Sequence, residues 1–461
     1  MLFRSNTSTA SIISLVKAQR EFFRSGVTLD IDYRCKQLKL LLAAMKQWEK
    51  PLCEALWLDL HKSKEEAFLT ELSIVTGEIR NHLKHLKKWA KTEKYSTPLK
   101  MLPSRSYTVS EPLGSALIIS PWNYPVQLLL NPLVGAISAG CTAMLKPSPY
   151  VPHVSQVVEQ MIEATFDEKY IAVVQGNRDV NTVLLQQRFD IIFFTGSPSL
   201  GKTVMEAAAK NLTPVVLELG GKSPCIVDKG ADVRLAAQRI AWGKTLNAGQ
   251  TCIAPDYLLI HDSLKSSFIE EFKAAIERLH GKNPQSSRHF ARLVNQRAFE
   301  RVASYLTDGD IVAGGATDAK ERYIAPTLLD NVNPSSAVMQ EEIFGPVLPM
   351  ISFERSEQLI GFITEREKPL ALYYFGQEKR GWNVIRRTSS GGACINDTIV
   401  HIANENIPFG GVGNSGMGSY HGRLSFDAFS HRRSVVVSPT WIDLKFRYMP
   451  YNLFSIVKKI L

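Results

Sequence analysis

Residues 112–145 carry no charged side chain. A stretch that long and that neutral either crosses a membrane or lies deep in a core. Pro121, Pro125 and Pro132 punctuate it, and Asn123 and Asn131 interrupt its apolar runs. Proline removes a backbone donor and ends or kinks a helix. The run therefore reads as a buried strand, a turn and a buried helix rather than one span. Burying it demands a sizeable body around it. The 461 residues suffice for two or three domains, and 21% charged against 45% apolar residues is the balance of an ordinary soluble protein.

What surrounds the run repeats its rhythm. Short apolar strands at 116–119, 143–145, 171–174, 191–194 and 215–217 alternate with helical stretches. That alternation indicates βαβ units and a parallel sheet with helices on both faces, an α/β fold. Before it, up to about Lys94, the spacing is helical. Residues 1–20 lack Asp and Glu and carry Arg4, Lys17 and Arg20, a composition that superficially suits a transit peptide. Ile12, Val16, Phe22 and Phe23 nevertheless form one helical face that runs into Arg24-Ser25-Gly26, and a first structural helix is expected. Tyr107-Thr108-Val109 alternates like a strand. After Glu218 a second α/β rhythm follows, with helices at 233–246 and 264–279 and strands at 257–260, 347–351 and 393–396. A glycine-rich loop over 408–418 precedes a basic tail.

Six cysteines occur, at 35, 53, 141, 225, 252 and 394, with no C-x-x-C pair and no metal-ligand spacing. Reduced thiols in a cytoplasmic protein are expected. The ten histidines form no metal-binding cluster, so no metal is expected. Much of the net charge of +10 falls between Arg80 and Arg105. It suits a solvated helix face or a surface for acidic partners. No nucleic-acid recognition module accompanies it, and no nucleic-acid partner is expected.

The chemistry concentrates in two motifs. Gly249-Gln250-Thr251-Cys252 presents a thiol on a glycine-flanked turn, and Glu218-Leu219-Gly220-Gly221-Lys222-Ser223-Pro224 offers a carboxylate that can sit beside it. A thiolate attacks carbonyl carbon, and a glutamate can deprotonate the water that frees the product. A third motif binds anions. The run 191–195 reads as a buried strand, and Gly196-Ser197-Pro198-Ser199-Leu200-Gly201 opens a helix, pointing backbone N–H groups at a phosphate. Residues 196–203 also spell G-x-x-x-x-G-K-T, a formal P-loop, with Asp228 available as the metal-binding acid. That alternative, an NTPase, leaves Cys252 and Glu218 idle. A non-catalytic protein on the same fold is the third reading.

Pro121-Trp122-Asn123-Tyr124-Pro125, Lys146-Pro147-Ser148, Phe194-Thr195-Gly196-Ser197, the Glu218 and Cys252 motifs, Glu341-Glu342-Ile343-Phe344-Gly345-Pro346 and Pro408-Phe409-Gly410-Gly411 occur in one order. Together they resemble the aldehyde dehydrogenase superfamily. The run from Pro408 through Gly422, and Asp59-Leu60-His61-Lys62, resemble its class 3 and fatty aldehyde branch. The resemblance implies a Rossmann-like NAD(P)-binding domain over 1–94 and 112–217, and an α/β catalytic domain over 218–405. It also implies a small β oligomerisation arm over 95–111 and 432–440, and leaves a basic amphipathic tail at 441–461.

By resemblance, Cys252 is the nucleophile, Asn123 and the Cys252 N–H hold the oxyanion, and Glu218 activates water. Family members that pass the acyl group to coenzyme A generally lack this glutamate, so release to water is expected. NAD or NADP is the implied cofactor. Lys146 takes the adenosine ribose, Gly196, Ser197 and Gly201 form the phosphate loop, Glu342 takes the nicotinamide ribose, and Phe344 packs at the nicotinamide end. Trp122 stacks near the cofactor or fills the core, the core being preferred. Pro149 replaces a glutamate that many NAD-preferring relatives carry, and tolerance of NADP is expected. The substrate expected is a hydrophobic aldehyde, aromatic or medium- to long-chain aliphatic, with Tyr124 lining its funnel, and the assembly a homodimer. The tail packs at a substrate entrance or makes a weak peripheral membrane contact, packing being preferred.

Overall fold

The computed structural model describes residues 6–443, 447–451, 454–455 and 458. One sheet holds five parallel strands in the order Val215–Glu218, Ile191–Thr195, Ser115–Ile119, Thr142–Lys146, Ile171–Val173, with the short antiparallel Gly416–Met417 on the first edge. The chain starts at the centre, winds outward to Ile171–Val173, then crosses back to Ile191–Thr195 on the other side of Ser115–Ile119. In open parallel sheets the crevice at the C-terminal ends of the strands, where the winding reverses, is where ligands sit. The three central strands are buried along their whole length, which is why they read as continuous apolar runs.

The charge-free run is strand Ser115–Ile119, a turn, and helix Gln127–Ala139, every residue of which is buried. Among the described residues no helix is long and apolar enough to cross a membrane. The helix has no side-chain cap of its own. Glu71 Oε2 instead accepts the N–H groups of Val126 (2.8 Å) and Gln127 (3.3 Å). Helix Pro152–Thr165 is treated alike: Asp59 Oδ2 accepts the Val154 N–H at 2.9 Å. Both carboxylates come from the N-terminal helical layer, at Glu49–Leu60 and the π-helical turn Phe68–Leu72. Negative charge at each positive helix end thus ties that layer to the sheet. Thr9–Arg24 is the expected first helix, capped by Ser8 and closed at Gly26, whose φ is 78°.

The second sheet has seven strands in the order Asp310–Ala313, Thr327–Asp330, Val347–Phe353, Tyr257–His261, Pro224–Val227, Ala371–Phe375, Gly392–Ile395, parallel except at the first. Four of them, Asp310–Ala313, Thr327–Asp330, Pro224–Val227 and Ala371–Phe375, escaped the sequence reading. The first two are four-residue strands set among turn-forming residues. The strand expected at 107–109 runs as Arg105–Pro112 and pairs with both Glu93–Tyr95 and Ser430–Val437 in a separate three-stranded sheet. Tyr95, Val436 and Val437 are exposed on it. The basic tail was expected to pack at a substrate entrance, of its own or of a partner subunit. Trp441, Met449 and Phe454 are all more than 60% exposed, and Arg447 pairs with Asp443 at 3.1 Å. Lys445, Phe446, Ile456 and Lys459, which shaped its sequence pattern, lie outside the described residues.

Gly135 sets how closely helix Gln127–Ala139 approaches Arg423–Ala428, since a Cβ there would lie 2.8 Å from Ser425 O. Alanine ordinarily favours a helix by about 1 kcal/mol over glycine. Here overpacking, roughly 1–3 kcal/mol, wins. Gly135→Ala is expected to lower stability in a denaturant titration, and an unchanged or raised midpoint would contradict the close approach.

Candidate active site

Cys252 and Glu218 arrive from different sheets. Glu218 closes strand Val215–Glu218, where it pairs with Thr195 on one side and Gly416 on the other. Cys252 follows helix Val233–Thr245 on a turn of unusual backbone. Asn247 and Ala248 are both left-handed, with φ of 51° and 52°, and Gly249 follows at 75°. A Cβ on Gly249 would meet Gly345 O at 2.2 Å, so both φ and space require glycine there. The two non-glycine residues each cost roughly 1–2 kcal/mol, and a dense set of bonds holds them. Asn247 Nδ2 donates to Asn123 O (2.8 Å) and Gln250 O (3.1 Å). Gln250 Nε2 donates to Asn247 O (2.9 Å) and Arg292 O (3.0 Å), and its Oε1 accepts the Val294 N–H at 3.0 Å.

Both residues face one cavity of about 800 Å³, which Trp122, Asn123, Gly196, Ser197, Glu342 and Phe344 also line. Glu218 is 2% exposed, and neither carboxylate oxygen has a hydrogen-bond partner. A strand-end glutamate would ordinarily pair with a lysine; this one is alone. Burial pushes its carboxyl well above the usual range. Burial also pushes the Cys252 thiol up, with the Glu342 and Glu218 carboxylates adding to the effect, while the N–H groups of Cys252 and Ile253 pull it back. Asn123 Nδ2 donates to Gln250 O at 3.0 Å. A primary amide has two donors, so the second is available to the cavity.

The supports of Asn123 were not legible as such. Lys62 and Glu71 are completely buried and paired at 2.6 Å. Lys62 Nζ also donates to Asn123 O at 3.0 Å and lies 4.2 Å from the centre of the Tyr124 ring. The Tyr124 hydroxyl bonds Thr251 Oγ1 at 2.6 Å, next to Cys252. Tyr124, expected to line the substrate funnel, is buried and braces the Cys252 turn. The only sequence signal was Lys62 inside Asp59-Leu60-His61-Lys62.

At the far end of the cavity, Ser197 caps helix Pro198–Ala209, whose first turn holds no acidic residue. The positive end of its dipole suits a phosphate. The Trp122 and Phe344 rings meet edge to face at 5.3 Å. Trp122 is half-buried and lines the cavity, contrary to the core position preferred from sequence. Glu342 lies against Gly220, where a Cβ would sit 2.0 Å from Oε2, and burial pushes its carboxyl up to about 8. Lys146 and Gly201 do not line the cavity. Lys146 is buried with Nζ bonded to Pro147 O at 2.8 Å, and burial lowers its pKa to about 8. Gly201 packs on Leu219. A helix end for a diphosphate, aromatic walls for a planar ring, and Arg301, Arg366 and Lys368 around the cavity fit a dinucleotide.

The P-loop alternative does not form. The helix begins at Pro198, so most of the motif is helix rather than phosphate cradle. Lys202 and Thr203 are exposed outside the cavity. Asp228 belongs to the other sheet and accepts the Tyr374 hydroxyl at 2.8 Å.

Comparison with known proteins agrees with this geometry. The sequence profile of the aldehyde dehydrogenase family matches residues 4–435. The chain is 46% identical to a 4,4'-diaponeurosporen-aldehyde dehydrogenase of Staphylococcus aureus over 94% of this chain and 95% of that protein. It is 45% identical to a dimeric NADP-preferring aldehyde dehydrogenase of Canis lupus familiaris, over 96% and 98% respectively. A substrate-bound structure of a Staphylococcus aureus AldH superposes with a TM-score of 0.96 at 45% identity, covering 97% of this chain and 99% of that one.

Removing one partner of a buried ion pair leaves an uncompensated charge. Glu71→Ala strands Lys62 and uncaps helix Gln127–Ala139. It is expected to cost roughly 3–5 kcal/mol in chemical denaturation, and a loss under about 1 kcal/mol would contradict the assigned role.

Proposed function

The chain belongs to the aldehyde dehydrogenase family, in its class 3 branch, and oxidises aldehydes with NAD or NADP; from that premise we propose that it converts a hydrophobic aldehyde to the carboxylic acid through Cys252 and Glu218. The observation that carries the reading is the pairing of a thiol with an unpartnered, buried carboxylate in one cavity. The Cys252 sulfur bonds the aldehyde carbon, and the oxygen becomes an oxyanion. The free Asn123 amide hydrogen and the Cys252 N–H are placed to hold it, and one such donor is worth about 3 kcal/mol in comparable sites. Trp122 and Phe344 line the part of the cavity that would hold the nicotinamide, and that cofactor, when bound, would supply the acceptor for the hydride lost as the thiohemiacetal becomes a thioester. Glu218 then removes a proton from water as that water attacks the acyl carbon. The carbon–sulfur bond breaks, releasing acid and restoring the thiol.

An apolar substrate is supported by exposed Leu69, Trp242 and Val400, which lie outside the cofactor cavity. Their segments meet around the nucleophile turn: Glu66 bonds Asn247, and Gly243 touches Thr398. A homodimer through the three-stranded sheet, with Val436 and Val437 exposed on it, and a cytoplasmic location complete the proposal.

Cys252→Ser is expected to abolish NAD(P)H production over a panel of aldehydes, and Glu218→Gln to trap the acyl enzyme, visible as a mass increase on Cys252. Turnover by the serine variant would reject the mechanism. Both raised groups must lose a proton to act, so kcat/KM is expected to rise as pH is raised above the ordinary carboxylate range. A flat profile there would contradict the assignment. With Pro149 in place of a carboxylate, NADP is expected to work within about a thousandfold of NAD in kcat/KM.

A further inference from the structure

We propose that Glu66 is a positioning residue for the nucleophile: its carboxylate grips the first amide of the left-handed turn that carries Cys252. The inference rests on Cys252 being the nucleophile. Glu66 Oε1 accepts the Asn247 N–H at 2.8 Å, from a residue 181 positions earlier in the chain. Its own place is fixed. Ser63 Oγ accepts the Glu66 N–H at 3.2 Å, and Thr70 Oγ1 donates to Glu66 O at 2.8 Å. The grip falls where the backbone needs it. Asn247, Ala248 and Gly249 are left-handed in succession, and only the last is a glycine. Such backbone persists only where its surroundings over-determine it.

The turn's other bonds run to Asn123 and, through the Gln250 side chain, to Arg292 and Val294, and none of these reaches the Asn247 N–H. Glu66 ties the turn to the N-terminal helical layer through that backbone donor. The groups around its carboxyl are Lys62, which attracts it, and Glu71, which repels it; burial dominates and pushes it up to about 7. Tyr124 also senses its charge. Glu66 does not line the cofactor cavity. Losing it should therefore disturb the sulfur and leave dinucleotide binding alone.

The test uses the full chain with E66A, E66Q and the double variant E66A/A248G, alongside C252S. Readouts are kcat, KM for aldehyde and cofactor, and the rate of Cys252 alkylation by iodoacetamide, followed by mass spectrometry without cofactor. E66A is expected to lower kcat and alkylation together by roughly tenfold, with cofactor KM unchanged. E66Q retains an acceptor oxygen and is expected within about threefold of the parent. A248G is expected to recover part of the E66A loss, because glycine holds the left-handed turn unaided. Should E66A fail to fold by circular dichroism, E66D, which withdraws the charge by one methylene, is expected to show the same loss. Parental alkylation and kcat in E66A, or E66Q as impaired as E66A, overturns the proposal. So does a loss confined to aldehyde KM, which would make Glu66 a substrate contact. Turnover by C252S would instead sink the nucleophile assignment, a result separable from the alkylation rates.

Discussion

The site depends on one buried ion pair. Lys62 and Glu71 lie at zero exposure, where a lone charge could not survive. Each spends its remaining hydrogen-bonding capacity on the backbone of one segment: Lys62 on Asn123 O, Glu71 on the amides of Val126 and Gln127. The turn between strand Ser115–Ile119 and helix Gln127–Ala139 is thereby held from below by full charges. Replacing the pair with apolar residues could preserve the fold. It would remove the Lys62 donor from the Asn123 carbonyl and leave that oxygen to Asn247 alone among the bonds described.

That arrangement explains why the chemistry straddles two sheets. Each sheet alone offers half a site: Glu218 and the Ser197 helix end from the five-stranded one, Cys252 and Glu342 from the segments of the other. In the proposed mechanism a thiol and its water-activating base must not neutralise each other, yet must reach the same carbon in turn. Placing them on separate rigid scaffolds lets their distance be set by packing between the sheets, which is less compliant than a loop.

The parts legible in the sequence were those whose physics is local. Buried parallel strands announce themselves as uninterrupted apolar runs, and the glycines around Cys252 and Glu218 mark turns that only glycine makes. Ala248 shows the limit, since nothing about alanine signals a left-handed backbone. Glu66 sits in Lys64-Glu65-Glu66, which reads as a solvated helix start; its partner is 181 residues away. Lys146 and Tyr124 illustrate the converse. Both stand in recognisable motifs, yet the structure turns the first onto Pro147 and the second onto Thr251. A motif records that a residue type is needed, and only packing decides which atom faces the cavity.

The same burial that organises the site also keeps it quiet. Cys252 is hemmed by Glu218 and Glu342, so a thiolate there would be an uncompensated charge beside two acidic groups in a poorly solvated space. The resting thiol is consequently neutral, and thiols in that state react slowly with oxidants and stray electrophiles. Ionisation becomes favourable only when positive charge or oriented donors enter the cavity, and the backbone N–H groups at Cys252 and Ile253 already supply part of that field. The cost is a nucleophile that must be held in place while uncharged. The strained turn and its many hydrogen bonds meet that requirement, because a neutral sulfur has no charge of its own by which to be oriented.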